Sequence, residues 1–383
     1  MKKRFKKPKK ALLVTLMLLS CGCDAMAQYV PLVDQKLYFD LDKVWNYNLY
    51  ERSRWGGGLK YMPVKAVDIT AYVGYGVRDE QWKGGVGVAW RLPWSSHQGA
   101  VSLSVGRDYF AAASRRMQHS NITDLSGLSC FMSQLMADRR GLELGYVFKV
   151  NGTTYIIEGM VFEGYELYDQ MYRPIYIVDG GEPCRSDGYE LSLSMHRRSG
   201  FSAELTHAYR HTWRLLLQYD HRFTLGPLDL YTFAQAGICD NNAPFFYRFD
   251  LGGTYGSPLW FRNSMLTLSP YEYVAHRFTF GSLRLKFRNP LFKLWSKMFA
   301  VGTNPRPLVG VNGVWGGKYY DDVEPGYPEP TDKTMAAFEV MAGIDGLIRW
   351  GAVDYGLSFA WRVPLATGEA GRLATLVSAE ITL

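Results

Sequence analysis

The dominant pattern along the chain is an alternation of apolar and polar residues with a period of two. In residues 67–77 every odd position is apolar or aromatic, whereas the even positions are polar residues, glycine or tyrosine. Residues 353–363 repeat the pattern, with Leu357 and Trp361 among the odd positions and Arg362 among the even ones. Alternation over this length predicts strands that have one apolar and one polar face.

Sixteen segments follow this pattern, some of them less strictly. In the twelfth segment the apolar phase switches at Gly281, which predicts a β-bulge there. The sixteen predicted strands lie at about 36–49, 54–62, 67–77, 82–92, 99–107, 140–150, 153–163, 188–198, 200–207, 212–223, 228–239, 272–287, 306–315, 336–348, 352–364 and 371–383.

Short and long connections between these strands alternate along the chain. After most even-numbered strands the chain turns within a few residues, and turn signals such as Pro63 and Asn151-Gly152 stand there. The segment 288–305 is an exception, since it is longer. The longest connections follow odd-numbered strands, at about 108–139, 164–187, 240–271 and 316–335. Sorting of loops by length between the two ends is typical of outer-membrane barrels.

The sequence therefore predicts an all-β fold, a transmembrane antiparallel β-barrel of about 16 strands with short periplasmic turns and long extracellular loops. A bilayer favours this solution because unpaired backbone groups cannot lie in hydrocarbon. The even strand count predicts that both chain termini lie on the periplasmic side. Aromatic residues near the strand ends are expected to contact the membrane interface; they are Trp82, Trp90, Trp213, Tyr219 and Trp361.

Residues 1–27 read as a cleaved signal peptide, followed by a short segment at 28–35 and the barrel at 36–383. The first ten residues carry seven of the chain's 43 Lys and Arg, and an apolar run of ten residues follows. Because Asp24 is the one acid in residues 1–27, the remaining chain has a net charge of +1 instead of +7. The basic character therefore belongs to the leader and does not indicate a nucleic-acid partner.

Two processing sites compete in the leader. Ala25-Met26-Ala27 before Gln28 fits ordinary cleavage after Ala27, whereas Leu18 to Gly22 resembles a lipoprotein box that would leave a lipidated Cys21. Three cysteines remain after Ala27, which is too few for a disulfide framework. Cys130 and Cys184 fall in long loops, and the sequence leaves open whether they form a disulfide or are free thiols.

Several ordered motifs resemble a bacterial domain-of-unknown-function family of outer-membrane barrels. They are NYNLYERSRWGGGLKY at 46–61, YGVRDEQWKGGVGVAW at 75–90, SPYEYVAHRFTFGSLRLKFRNPLFKLW at 269–295 and FEVMAGIDGLIRWGAVDYGLSFAWRV at 338–363. The match spans about residues 32–383. Longer members of this family carry an N-terminal carboxypeptidase-regulatory-like domain, and no such domain is predicted in residues 28–383.

That family is distantly similar to the Bam-type and two-partner-secretion barrels, in which a long sixth extracellular loop folds into the lumen. The resemblance implies that FDLGG, with Asp250, Gly252 and Gly253, precedes the tip of such a loop, and that Arg262 corresponds to the tip arginine. Two departures matter. The tip reads Phe-Arg-Asn instead of Arg-Gly-aromatic, and Asn312 replaces the acidic residue of the next strand motif.

We therefore expect the segment 240–271 to fold into the lumen and not to project outward. Glycines in the segment permit tight reversals. A guanidinium in a narrow lumen costs several kcal/mol to desolvate, so Arg262 should lie beside a wall carboxylate. The candidate wall partners are Glu339, Asp345 and Asp354.

No catalytic, cofactor-binding or metal site is predicted. Asp220 and His221 are adjacent, so they point to opposite faces of a strand and cannot form a dyad. His196 is expected to be a hydrogen-bonded lumen residue near Glu190 and Glu204. No spacing of His and Cys suggests a metal site, and residues 124–139 are compatible with a short helix in the third loop.

Two functions of different classes remain open from the sequence. The resemblance implies a barrel in outer-membrane protein assembly or translocation, with a protein partner that supplies the missing soluble domain. The alternative is a passive structural or solute-channel barrel; an enzyme is not expected. Charges of both signs are interleaved on the predicted lumen faces, which favours salt bridges in a narrow or plugged lumen over an ion-selective ring.

Overall fold

The computed structural model describes most of the chain that follows the leader. The described residues are 29–33, 36–40, 43–48, 51–92, 99–111, 115, 135–170, 173–176, 178–179, 182–183, 187–241, 243–252, 265–268, 273–288, 305–317, 334–350, 353–365 and 371–381. Within these ranges the helices are two 3-10 turns, Tyr209–His211 and Phe245–Tyr247. None of the helices in the described ranges is long and apolar enough to span a membrane.

Seventeen wall strands form one antiparallel sheet, in which each strand pairs with its neighbours in chain order. Their bounds are β1 Tyr29–Val33, β2 Leu37–Asp40 with Trp45–Asn48, β3 Arg52–Val64, β4 Val67–Gly76, β5 Trp82–Arg91, β6 Ala100–Ala111, β7 Leu135–Val150, β8 Thr153–Gln170, β9 Gly188–Arg197, β10 Phe201–Ala208, β11 Thr212–Leu225, β12 Leu228–Cys239, β13 Arg277–Phe287, β14 Arg306–Gly316, β15 Met335–Trp350, β16 Val353–Val363 and β17 Leu373–Ile381.

Five further short strands in the described ranges form three ladders outside the wall. Arg173–Tyr176 extends the pairing of β8 beyond the wall, Val178–Asp179 pairs with Glu182–Pro183, and Phe249–Asp250 pairs with Val274–Ala275. The last of these ladders joins the two limbs of the connection between β12 and β13.

The sheet coils around a lumen. Arg115, shortly after β6, places its guanidinium over the rings of Phe278 and Phe280 in β13, at 5.1 and 4.7 Å from their centroids. Its carbonyl oxygen also accepts a hydrogen bond from Gln235 in β12. These strands lie six and seven positions from β6 along the sheet, so the contacts require the two sides to face each other. The fold is the predicted transmembrane antiparallel β-barrel, although no ladder joins β1 to β17 within the described residues.

The two faces of the wall differ as the alternation predicts. In β11, Trp213 and Leu217 are exposed, whereas Arg214 and Gln218 are buried. The same division holds in β15, where Val340 is exposed and the flanking Glu339 and Met341 are buried. Large apolar side chains are therefore exposed on the outward, lipid-facing side. The aromatic residues predicted at the interfaces are all exposed; they are Trp82, Trp90, Trp213, Tyr219 and Trp361.

All sixteen predicted strands are present, and β1 is added before them. The segment 28–35 was expected to hold no strand, but Tyr29–Val33 pairs with β2. Tyr29 lies opposite Asp40, so the described chain begins partway up the wall and not at the periplasmic end where the N-terminus was expected. The C-terminal strand does end there, since Ile381 lies opposite Val353.

Two local predictions were wrong. Residues 135–139, part of the stretch 124–139 that is compatible with a short helix, belong to β7 because they continue its pairing with β6 and β8; residues 124–134 lie outside the described ranges. No bulge occurs at Gly281, which pairs in regular register with Ala234 and Gly313. The apolar phase switches because Phe278 and Phe280 face inward, whereas Leu283 faces lipid.

The membrane placement predicts a position-dependent cost for a charge on the outward face. Leu144 and Leu365 are each 55% exposed, but Leu144 lies midway along the wall and Leu365 follows the long-loop end of β16. We expect Leu144→Arg to lower the free energy of folding into lipid vesicles by about 2–4 kcal/mol and Leu365→Arg by about 0–1 kcal/mol. Denaturant titration of the refolded chain measures both, and equal losses would contradict the placement.

Candidate functional site

The inward face of β11–β15 carries a continuous apolar surface on its long-loop half. It includes Leu216, Phe233, Phe278, Phe280, Val314 and Ala337, all of which are buried. An apolar surface inside a water-filled lumen is unfavourable unless another element covers it. This surface therefore needs a partner within the barrel.

The partner is the connection between β12 and β13, which we name the lumen segment, residues 240–276. Phe249 packs on Phe278 with ring centroids 4.8 Å apart, and Leu251, Met265 and Leu268 are buried in the same cluster. Gly316 in β14 permits the close approach, since a Cβ there would lie 2.3 Å from a methyl group of Leu251. The described parts of the lumen segment thus lie against the inner wall.

The two limbs of the lumen segment are also joined to each other by backbone hydrogen bonds. The Leu251 N–H donates to the Tyr273 carbonyl oxygen at 2.8 Å, and the Met265 N–H donates to that of Gly252 at 2.9 Å. Together with the short ladder at Phe249–Asp250, these bonds join the described parts of the two limbs to each other.

Glu339 anchors the returning limb to the wall. It is fully buried on the inward face of β15, and its carboxylate accepts hydrogen bonds from the backbone N–H groups of Leu266 and Thr267, at 2.9 and 3.0 Å. The Thr267 hydroxyl donates to it at 2.7 Å, and the Asn312 amide donates at 2.6 Å. A buried carboxylate is costly unless such donors surround it, so the limb and the carboxylate stabilise each other.

Asn312 holds the position at which an acidic residue was expected in the strand motif. It lies directly opposite Glu339 in the ladder between β14 and β15. The negative charge is therefore present one strand further along, and the amide of Asn312 helps to hold it. The sequence motif alone does not predict that the carboxylate lies on β15 and the amide on β14.

The outgoing limb is held near β7 and β9. The Tyr247 hydroxyl donates to Glu190 at 2.9 Å, and burial together with this carboxylate raises the pKa of Tyr247 well above its ordinary value. The phenol therefore stays protonated and remains a donor. Arg139 lies 3.5 Å from Glu190 and stacks on Phe246 at 3.7 Å from the ring centroid.

The predicted site residues are placed as follows. Asp250 is fully buried, and its carboxylate accepts from the Gly252 N–H at 3.0 Å. Asp345 forms an ion pair with Lys286 at 2.9 Å. Asp354 belongs to β16, but its side chain lies outside the described residues, as do Gly253 and Arg262. The pairing of Arg262 with a wall carboxylate stays a prediction.

Sequence reasoning missed three residues: Thr267, which binds Glu339, Arg139, which stacks on Phe246, and Arg115, which reaches Phe278 and Phe280 across the lumen. Arg139 is nearly fully buried, although it falls in a stretch assigned to a loop. Its contacts depend on β7 beginning before the predicted start at residue 140. The residue pattern of a single strand does not predict which groups lie across the lumen.

The inner wall of β4–β8 has a different character. Small or polar side chains face inward there, including Thr70, Gly87 and Ser104, and Ser104 donates to Glu143 at 3.4 Å. A cavity of about 140 Å³ borders this surface. We name this surface the polar trough, lined by Thr70, Tyr72, Gly85, Gly87, Ser104 and Glu143. The lumen is thus covered by the lumen segment on one side and bordered by this cavity on the other.

Ion pairs of the lumen connect nearby wall strands. Arg214 binds Glu204 at 3.1 Å between β11 and β10, and Arg54 binds Asp108 at 2.6 Å between β3 and β6. The sequence predicted salt bridges in the lumen but not their partners. These pairs stiffen the wall and do not form a single-sign ring.

Other side chains with candidate chemistry have structural surroundings. His196 is buried and its Nδ1 lies 3.0 Å from the Ser202 hydroxyl. His221 stacks on Tyr219 and makes an edge-to-face contact with Phe223 on the outward face, away from Asp220. In the described part of the chain no three metal-binding side chains come together. Cys239 is a buried free thiol, and Cys130 and Cys184 lie outside the described residues.

The exposed apolar wall with aromatic residues near both ends, together with long connections that lie mostly at one end, decides where the molecule resides. The chain is an outer-membrane β-barrel. No protein-family model matches it, and no curated protein sequence is significantly similar.

Solved outer-membrane proteins share the coarse architecture at low sequence identity. CdiB from Escherichia coli aligns at a TM-score of 0.45 and 12% identity, over 87% of this chain and 61% of its own. CdiB from Acinetobacter baumannii gives 0.45 and 10%, over 86% and 56%. Pseudomonas aeruginosa OccK2 (OpdF), solved with glucuronate, gives 0.41 and 11%, over 90% and 91%. This barrel spans about three fifths of the length of the CdiB chains.

The geometry at Glu339 predicts a graded effect of two substitutions on stability. Glu339→Ala leaves the N–H groups of Leu266 and Thr267 and the Asn312 amide without their acceptor, so we expect a loss of at least about 3 kcal/mol. Thr267→Val removes one hydroxyl donor only and should cost about 1.5 kcal/mol. Urea unfolding of the refolded barrel, followed by its gel mobility, measures both. Equal losses would show that Glu339 does not anchor the limb.

Proposed function

We propose that this barrel acts in outer-membrane protein assembly or translocation, and that the lumen segment occupies the conduit at rest. The observation that carries the proposal is the inward fold of the lumen segment, with Glu339 bound to its returning limb. The returning limb is held to the wall by this cluster of hydrogen bonds and can be released when those bonds are replaced.

The asymmetry of the lumen supports the same proposal. The polar trough offers small side chains and hydroxyl groups along β4–β8, a surface that an extended polypeptide can pass without strong binding. The apolar surface opposite is covered by the lumen segment. Displacement of that segment would widen the conduit from one side while the wall stays intact.

The sequence resemblance supports the proposal independently. The motifs at 46–61, 75–90, 269–295 and 338–363 resemble the domain-of-unknown-function barrel family and, more distantly, the Bam-type and two-partner-secretion barrels. In those barrels soluble domains handle the substrate. We propose that a separate protein partner supplies this role here, and that the barrel has no enzymatic activity.

The second candidate is a passive structural or solute-channel barrel, and the polar trough favours it. A lumen lined on one side by Thr70, Ser104 and Glu143 is wettable, so small solutes would cross if the lumen segment leaves a gap. The two candidates differ in what the segment does. A translocation barrel is closed at rest, whereas a channel conducts steadily.

Depletion of the chain in its native cell tests the assembly or translocation role. We expect the amounts of one or more outer-membrane or surface-exposed proteins to fall, as measured by quantitative proteomics of the outer membrane. Re-expression of the unchanged chain should restore them, and re-expression of Glu339→Ala should restore them only in part. Unchanged amounts of all these proteins after depletion would refute the role.

Conductance in planar bilayers separates the two candidates. The purified barrel should show little steady current, because the lumen segment covers the conduit. Glu339→Ala should raise the conductance several-fold, and Thr267→Val, which keeps the backbone bonds to Glu339, should raise it less. A large steady conductance in the unchanged barrel, insensitive to both substitutions, would favour the passive channel.

A further inference from the structure

A row of polar side chains borders the outward face of β5–β8 on its long-loop side. Backbone register places Gly84 opposite Arg107, Arg107 opposite Arg140, and Arg140 opposite Glu163. Alternation puts all four positions on the outward face, since their neighbours two residues further along each strand are exposed and apolar. We name Arg107, Arg140 and Glu163, with Gly84, the outer polar row.

The next outward row along these strands is entirely apolar. Val86, Val105, Leu142 and Val161 lie opposite one another in the same register, and all are exposed. They face the hydrocarbon of the bilayer. The outer polar row therefore lies at the boundary between hydrocarbon and lipid headgroups, where the cost of a charged side chain becomes small.

The two arginines differ in how firmly they are held. Arg107 forms a two-pronged contact with Asp138, at 2.9 and 2.5 Å, and Asp138 is buried. Arg140 donates to Glu163 at 3.1 and 2.6 Å, and their side chains are 71% and 56% exposed. The second pair is open to the surroundings, so an incoming anion can reach the Arg140 guanidinium.

A recess accompanies the outer polar row. It is shallow and open, with a volume of about 650 Å³. Gly84 contributes no side chain to it, and a Cβ at this position would lie 2.4 Å from the Tyr72 carbonyl oxygen. The recess is bordered by Gly84, Val105, Arg107, Arg140, Val161 and Glu163.

The geometry points to a binding site for the phosphorylated headgroup of an outer-leaflet lipid. Arg140 exchanges Glu163 for the phosphate, Arg107 stays paired with Asp138, and the apolar row contacts the acyl chains. Guanidinium groups suit this task because their planar fork matches the oxygen atoms of a phosphate. The inference does not rest on the proposed function.

Glu163 gives the inference a distinctive signature. A lipid phosphate and the Glu163 carboxylate compete for the same guanidinium, so removal of the carboxylate charge should strengthen lipid binding. Removal of the Arg140 charge should weaken it. An ion pair that serves only the structure would instead give the same response to both substitutions.

The test uses the full chain refolded in non-ionic detergent and titrated with lipid A. Binding is measured as the lipid concentration that gives half the maximal rise in the thermal unfolding midpoint, read from gel mobility. We expect phosphorylated lipid A to bind at least about tenfold more tightly than its dephosphorylated form, and Arg140→Gln to weaken binding about tenfold. Glu163→Gln should tighten it. Inorganic phosphate alone should not raise the midpoint.

Arg198→Gln is the matched control, because Arg198 is exposed at the turn between β9 and β10, on the opposite end of the barrel. It should bind lipid A as the unchanged chain does. Arg140→Gln is preferred to a change at Arg107, which would leave the buried Asp138 without its partner. Equal binding of the two lipid forms, equal loss in Arg198→Gln, or weaker binding in Glu163→Gln would each overturn the assignment.

Discussion

Hydrocarbon offers no hydrogen-bond partner to a peptide group, and this constraint organises the whole molecule. Each spanning strand must pair with its neighbours, which produces one continuous antiparallel sheet from β1 to β17. Pairing in turn divides every strand into an outward and an inward set of side chains. The outward set meets lipid, and the inward set must be accommodated within the barrel itself.

The inward side chains of the barrel are accommodated in two ways. Along β4–β7 the inner side chains that line the polar trough are Thr70, Tyr72, Gly85, Gly87, Ser104 and Glu143. Along β11–β15 they include large apolar groups, which the lumen segment covers. Glu339 is buried and holds the lumen segment through a few hydrogen bonds. The position of the lumen segment therefore depends on this carboxylate far more than on any single apolar contact.

Much of the wall was accessible from the sequence because the outward side chains all meet the same environment. Leu142 and Leu144, or Val86 and Val88, obey the period of two since lipid is uniform. The inward side chains meet different neighbours, and here prediction failed. Phe278 and Phe280 were taken as a sign of a bulge, although they face inward to Phe249 and Arg115.

The sequence by itself determined the strands, their faces, the long-loop end and the wall charges, since each follows from local alternation and from connection length. Only the tertiary structure decided that Thr267 and Asn312 surround Glu339 and that Arg139 stacks on Phe246. These contacts join residues tens of positions apart. Such pairings depend on register and on coiling of the sheet, because a carboxylate in one strand carries no local mark of the donors that approach it from another.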